Sequence, residues 1–334
     1  MTDETGSRSG AAEIAFRDVS KAYAGRSGPA VSGLSFEVPP GEICVLIGPS
    51  GCGKTTALKL VNRLIPLTSG EITIGGRSIG SLEATQLRRG IGYVFQQIGL
   101  FPHMTVEDNI GTVPRLLGWD KKRIRERARE LVALVGLDAD ADLRRYPGEF
   151  SGGQQQRLGV ARAMAVDPPI MLMDEPFGAI DPITRERLQD DFLRLHREVR
   201  KTIIFVTHDI DEAIKMGDKI AIMRDGHLVQ YDTADEILAN PADDFVASFV
   251  GADRGLKRLR VWRLSDMELE PLSVNANGSE PSIAIETSLR DAVSFMLTEG
   301  VTQLVVLAEG KPHGTVTLES IAAMLAEDRK AAPA

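Results

Sequence analysis

The stretch Gly48-Pro49-Ser50-Gly51-Cys52-Gly53-Lys54-Thr55-Thr56 constrains this chain more than any other. It fits G-x-x-x-x-G-K-[ST], and its setting fits as well. The apolar run 43–47 precedes it and reads as a buried strand. Ala57, Leu58, Leu60, Val61 and Leu64 follow at helical spacing. A loop that leaves a strand and opens a helix can turn successive N–H groups toward phosphate oxygens. Gly48, Gly51 and Gly53 permit the backbone conformations this needs. The helix start adds partial positive charge. In such a loop Lys54 reaches the β- and γ-phosphates, and the Thr55 hydroxyl ligates Mg²⁺. Cys52 reads as a small packing residue rather than a thiol catalyst.

Other motifs fall at compatible places. Ile170-Met171-Leu172-Met173 is followed by Asp174 and Glu175. Acids at the end of a buried parallel strand lie on the carboxyl edge of the sheet, where α/β proteins bind ligands. Asp174 suits an Mg²⁺ shell, and Glu175 suits polarisation of an attacking water. His208 ends a second apolar strand, 202–206, on the same edge. Phe150-Ser151-Gly152-Gly153-Gln154 precedes a helix that Ser151 is placed to cap, with the glycines exposing N–H groups. That is a second anion site. Asp181 caps a further helix, opened by Pro182.

Elsewhere, strand signals cover 12–47, and 71–74 with Gly75-Gly76 makes a hairpin. Tyr23 sits in a polar loop. The apolar loop Leu100-Phe101-Pro102-His103-Met104 is either tucked or an exposed docking surface. In the helical region 120–165, Ile124, Ala128, Leu131 and Val135 share a face, and Lys121, Lys122, Arg125 and Arg127 read as solvated. Asp225-Gly226 turns a hairpin, and Thr233 to Glu236 is a capping box. Arg254, Lys257, Arg258, Arg260 and Arg263 crowd a basic linker. The remainder reads β-α-β-β-α, with a last helix to Leu325.

A chain of 334 residues is long enough for about two domains. Its net charge of -8 argues against nucleic acid as a partner. Two cysteines offer no disulfide framework, which fits a reducing compartment. No apolar run approaches the roughly 20 residues of a membrane span. Residues 1–11 are polar and small, a disordered tail rather than an export signal.

Together these motifs resemble the ATP-binding subunits of ABC transporters. The resemblance rests on the phosphate loop, Gln96 after an apolar strand, Phe150 to Gln154, Asp174-Glu175, Asp181 and His208, in the family's order. Phe150 stands where leucine is commonest, and an apolar residue is kept. The resemblance implies an α/β fold of the ABC-type P-loop ATPase: a RecA-like core, a β-subdomain and a helical subdomain at about 101–165, together spanning 12–250. It implies ATP and Mg²⁺, and a head-to-tail homodimer. Each ATP would lie between Gly48, Pro49, Ser50, Gly51, Cys52, Gly53, Lys54, Thr55 and Thr56 of one subunit and Ser151, Gly152, Gly153 and Gln154 of the other. By the same resemblance Tyr23 stacks on adenine, and Gln96 senses Mg²⁺ and water. Thr55, Gln96 and Asp174 surround the metal. Glu175 is the catalytic base, His208 holds the γ-phosphate, and Asp181 links the two sites. The loop from Gln97 to His103 receives a membrane permease subunit, two per transporter. The chain is then expected at the cytoplasmic face of the plasma (inner) membrane, with an extracytoplasmic solute-binding protein as indirect partner.

After the basic linker 251–263, residues 264–328 look like a single cystathionine-β-synthase (CBS) module, with 329–334 a tail. ATPase-plus-CBS subunits serve importers of glycine betaine, choline and related osmoprotectants, which is the function the resemblance implies. Another betaine-like or amino-acid-like solute is the alternative. Ser320 replaces the acid that often holds a ribose in such modules. Val293, Met296, Leu297, Val305 and Leu307 are expected to form much of an apolar face that meets a second tail.

Overall fold

The structure, a computed structural model, describes residues 10–25, 28–95, 99–178, 180–272 and 281–331, and the chain divides after Tyr231 into two units. The expected tail 1–11 lies largely outside the described residues.

The first unit contains two sheets. Strands β1 (Ile14–Lys21) and β2 (Val31–Val38) pair antiparallel, and β4 (Ser69–Ile74) and β5 (Arg77–Ser78) extend them in the order β2-β1-β4-β5. The second sheet has the order β10-β9-β3-β8-β7-β6. It is built from β3 (Ile43–Ile47), β6 (Ile91–Val94), β7 (Ile170–Asp174), β8 (Thr202–Val206), β9 (Lys219–Arg224) and β10 (His227–Asp232). Strands β9, β3, β8, β7 and β6 are parallel. Central strands β3 and β8 are buried along their whole length, which is why they read as unbroken apolar runs rather than alternating ones. Asp225 and Gly226, both at positive φ, form the two-residue turn into β10. The helix Lys54–Val61 buries Ala57, Leu58, Leu60 and Val61 in a core shared with Phe16, Leu34 and Ile72 of the first sheet and Leu46 and Ile204 of the second. Leu64, expected on that apolar face, lies beyond the helix end and is exposed.

Register places the site. Leu46 pairs with Val206, and Val206 with Asp174. The three strands therefore end level, and the residues that follow them meet on one edge.

In the helical region, helix Lys121–Leu134 buries Ile124, Ala128, Leu131 and Val132 and exposes Lys121, Lys122 and Arg125. Arg127 departs from the expected solvated face. Its guanidinium donates to Met164 O at 3.1 Å and Ala165 O at 3.2 Å, fastening this helix to the end of helix Gly152–Ala163.

The second unit begins at Asp232, so packing assigns helices Ala234–Ala239 and Asp244–Val250 to it, whereas the sequence reading grouped them with residues 12–250. The basic linker is not an open linker. Most of it is helix Arg254–Val261. Arg258 is buried, donates to Asp235 Oδ1 at 2.8 Å, and stacks over Trp262. Lys257 Nζ holds Val250 O at 2.7 Å and Asp253 Oδ1 at 2.8 Å, and Arg263 donates to Glu286 O at 2.6 Å. These charges are engaged because each has an oxygen within reach of its long side chain. At Thr233 only half of the expected capping box forms: its hydroxyl accepts from Glu236 N, but the Glu236 carboxylate accepts from Asn240 Nδ2 at 2.8 Å.

The expected β-α-β-β-α order follows. Strand β11 (Ser282–Ala284) pairs parallel with β12 (Gln303–Ala308), which pairs antiparallel with β13 (Lys311–Thr317). Helix Leu289–Glu299 joins the first two, and helix Leu318–Ala331 closes the chain, running past the expected end at Leu325. Of the face expected to meet a second tail, Met296 instead lies in this unit's own core, with Val293 packed against it, whereas Val305 lies on the opposite face of β12 from the core residues Leu304 and Val306, and Leu297 is 69% exposed.

Candidate active site

The phosphate loop needs its glycines for steric reasons visible around it. At Gly48, with φ of 149°, a Cβ would stand 2.1 Å from Met223 O; at Gly53, with φ of 109°, one would stand 2.5 Å from Ala30 O. The backbone therefore runs against β9 and the start of β2 where no side chain fits. Gly226 N donates to Cys52 O at 3.1 Å, so the β9–β10 turn also braces the loop. Lys54 is buried, with Nζ 2.6 Å from Gly48 O and 3.1 Å from Pro49 O. Cys52 takes the small packing role expected of it. Its N–H is taken by Pro49 O at 3.2 Å, and its side chain is in the core. Burial raises its thiol pKa, outweighing the nearby Lys54 charge, so it is inert as a nucleophile.

Thr55 Oγ1 donates to Asp174 Oδ1 at 3.1 Å, joining loop and strand end. Desolvation raises the Asp174 carboxyl above its usual range; the Thr55 hydrogen bond opposes this and the neighbouring Glu175 charge adds to it. No group of three or more His, Cys, Asp or Glu able to hold a metal occurs among the described residues. A hydroxyl and one carboxylate fit Mg²⁺ nonetheless, because Mg²⁺ is usually held by one or two carboxylates plus substrate phosphates and waters.

Glu175 occupies the left-handed region, with φ of 44°, which is strained for a non-glycine residue. Its N–H donates to Val206 O at 2.9 Å, and its Oε2 lies 3.2 Å from His208 Nδ1. Asp209 caps helix Ile210–Met216 and so directs the chain immediately after His208. Lys54, Thr55, Asp174, Glu175 and His208 are therefore assembled on one edge. Gln96 and Gln97 lie outside the described residues. Tyr23 is exposed just beyond β1, with Lys21 Nζ 5.1 Å from its ring centroid.

Among the described residues, no hydrogen bond draws Ser151 to Gln154 to this edge. Ser151 Oγ accepts from Gln154 N at 3.3 Å, and Gln154 Oε1 accepts from Ser151 N at 3.0 Å, a complete capping box. Asp181 caps helix Pro182–Val199, accepting from Thr184 N at 3.0 Å.

Three residues outside the motifs shape this region. Asn109 is buried. Its Nδ2 donates to Phe101 O, Met104 O and Thr105 O, and its Oδ1 accepts from Phe101 N, so one side chain holds the loop that presents exposed Phe101, Pro102 and His103. That settles the alternative left open by the sequence: the loop is anchored beneath and open above. Gln189 Nε2 donates to Glu212 Oε1 at 2.9 Å, a buried link between helices Pro182–Val199 and Ile210–Met216. Thr105, followed by Val106, Glu107 and Asp108, was the available cue for helix Val106–Ile110, on which Asn109 stands; Gln189 and Glu212 had none.

A glycine-rich loop with a buried lysine, a hydroxyl–carboxylate pair and a Glu–His pair on one parallel-sheet edge define a P-loop nucleotide-binding protein. The ABC transporter family model matches residues 31–178. The chain is 53% identical over 288 residues to the osmoprotectant import ATP-binding protein OsmV of Salmonella typhimurium, covering 86% of this chain and 74% of that protein. It is 48% identical over 309 residues to the carnitine transport ATP-binding protein OpuCA of Listeria monocytogenes, covering 92% and 76%. Among solved structures, the dimeric structure of the bacterial ABC transporter cassette MJ0796 matches with a TM-score of 0.58 and 33% identity, over 66% of this chain and 98% of that one. The chain belongs to the ABC transporter family of ATP-binding subunits.

Proposed function

We propose that this protein hydrolyses ATP to energise an importer of osmoprotectants of the glycine betaine, choline and carnitine class. The observation that carries the proposal is the level ending of β3, β7 and β8, which gathers Lys54, Thr55, Asp174, Glu175 and His208, in a chain whose relatives are named for osmoprotectant and carnitine transport. Import of another betaine-like or amino-acid-like solute is the second reading.

Lys54 meets the β- and γ-phosphates, where its charge counts most as negative charge develops during transfer. Thr55 and Asp174 would hold Mg²⁺, with Gln96 assigned to the same ion, and the metal would supply neutralisation of phosphate charge. Glu175 accepts a proton from the attacking water. His208 orients the γ-phosphate, and Tyr23 stacks on adenine. The capped helix start at Ser151 to Gln154 faces the phosphates of a second copy, with Asp181 near the junction; the dimeric cassette of known structure supports this arrangement. The open loop at Phe101 to His103 receives a permease subunit. The permease holds the subunit at the cytoplasmic face of the membrane. No helix among the described residues is long and apolar enough to cross a membrane. Residues 264–328 act as a regulatory CBS module.

The test is complementation. Cells lacking their own osmoprotectant importers, given this chain with its permease and binding protein, should take up labelled glycine betaine, choline or carnitine under osmotic stress. Loss of uptake with Glu175→Gln supports the assignment. Uptake of none of the three, with intact hydrolysis, transfers it to the second reading.

A further inference from the structure

Helices Gly152–Ala163 and Pro182–Val199 enclose a cavity of about 300 Å³ that shares no residue with the nucleotide site. Gln156 and Val160 line it from the first helix, and Arg187, Phe192 and Leu195 from the second. That volume is at the lower end of small-molecule sites.

Its polar groups are unequal. Arg157 and Arg194 both engage Asp191, so that carboxylate is already compensated. Gln156 is only 3% exposed, and its Nε2 has no hydrogen-bond partner among the described residues. A buried amide N–H of this kind is unfavourable unless an acceptor reaches it. Arg187 also has no hydrogen-bond or ion-pair partner among the described residues. One unpaired donor and one unpaired cation thus line a cavity whose other walls combine apolar side chains with the mutually compensated Arg157, Asp191 and Arg194. Glu198 lines it too, but lies about three helical turns, roughly 16 Å, from Arg187 along the same helix. A small zwitterion, with its charges a few ångströms apart, cannot engage both ends.

We propose that this cavity binds a small carboxylate with an apolar body. The carboxylate accepts from Gln156 Nε2 and pairs with Arg187, and the body lies against Val160, Phe192 and Leu195. The charge-assisted hydrogen bond would satisfy the buried amide and supply selectivity, while the apolar contacts supply affinity. This assignment does not depend on the transport reading.

Titration calorimetry of the full chain with octanoate, against octanamide, tests it. Octanoate should bind saturably at one site. Octanamide should bind about tenfold more weakly or worse, as should octanoate to Arg187→Ala or Gln156→Leu. Gln156→Leu should melt no lower than the parent chain, because it deletes an unpaired buried amide. No saturable octanoate binding overturns the proposal, and so does equal affinity for the amide and in both variants. Arg187 is exposed, so Arg187→Ala remains informative if Gln156→Leu fails to fold.

Discussion

His208 Nδ1 and Glu175 Oε2 lie 3.2 Å apart, each placed by the end of a different strand of one sheet. Glu175 is thus held from two sides, by its backbone bond to Val206 O and by the imidazole. Replacing it with Gln keeps the shape and removes the base. Glu175→Gln is expected to bind ATP while hydrolysis falls by about 10²–10⁴-fold. Size-exclusion chromatography with ATP and Mg²⁺ should then show a dimer; wild-type turnover in a monomer would remove Glu175 from the mechanism.

Lys54→Ala should abolish hydrolysis and weaken ATP affinity by about tenfold or more, the worth of a charge-assisted contact. The buried ammonium is positioned by loop carbonyls. Equilibrium binding of a fluorescent ATP analogue, beside steady-state turnover, separates the two effects.

Asn109→Ala should destabilise the first unit by about 1–3 kcal/mol, since it strips partners from backbone groups around Phe101 to Thr105. Urea denaturation measures this. Limited proteolysis should show faster cleavage near Phe101 than in the parent; an unchanged cleavage pattern would mean that other contacts hold the loop.

Burial raises the Glu212 carboxyl above its ordinary value of 4.5, outweighing the lowering by Thr207 and Gln189. Between the unfolded and folded values the folded chain binds more protons, so stability falls as pH rises through that window. Glu212→Gln has no such proton to lose. Its melting temperature relative to the parent should climb with pH across the window and level off above it. A difference that does not vary with pH would mean Glu212 titrates as in the unfolded chain.

Arg258→Ala should cost about 1–3 kcal/mol in the second unit, because it leaves Asp235 without its buried partner and removes packing from Trp262. A double-mutant cycle with Asp235→Ala measures the coupling; additive losses would show that packing on Trp262, not the ion pair, carries the effect.

The phosphate loop and the acids at the end of β7 were legible because both depend on local order: an apolar run, then the residues that must stand at its end. Parallel register did the rest. Asn109 and the Gln189–Glu212 pair were not legible, since a buried polar residue looks like any surface residue until its distant partner is known. Arg258 misled for the converse reason. A dense run of charge resembles a solvated linker, and only Asp235 and Trp262 show otherwise. The division after Tyr231 was hidden because helices Ala234–Ala239 and Asp244–Val250 carry no compositional break.

The central place of β3 has a consequence for synthesis. Its neighbours in the sheet, β8 and β9, begin at Thr202 and Lys219, and the turn that braces the loop includes Gly226. At bacterial or eukaryotic elongation rates the ribosome needs about 10–30 s to reach them after Ile47. Throughout that interval five consecutive apolar residues and the glycine-rich loop have no sheet to join. A nascent chain stalled anywhere before β8 should therefore be a strong client for chaperones that grip extended apolar segments, and release should coincide with the emergence of β8 and β9 from the exit tunnel.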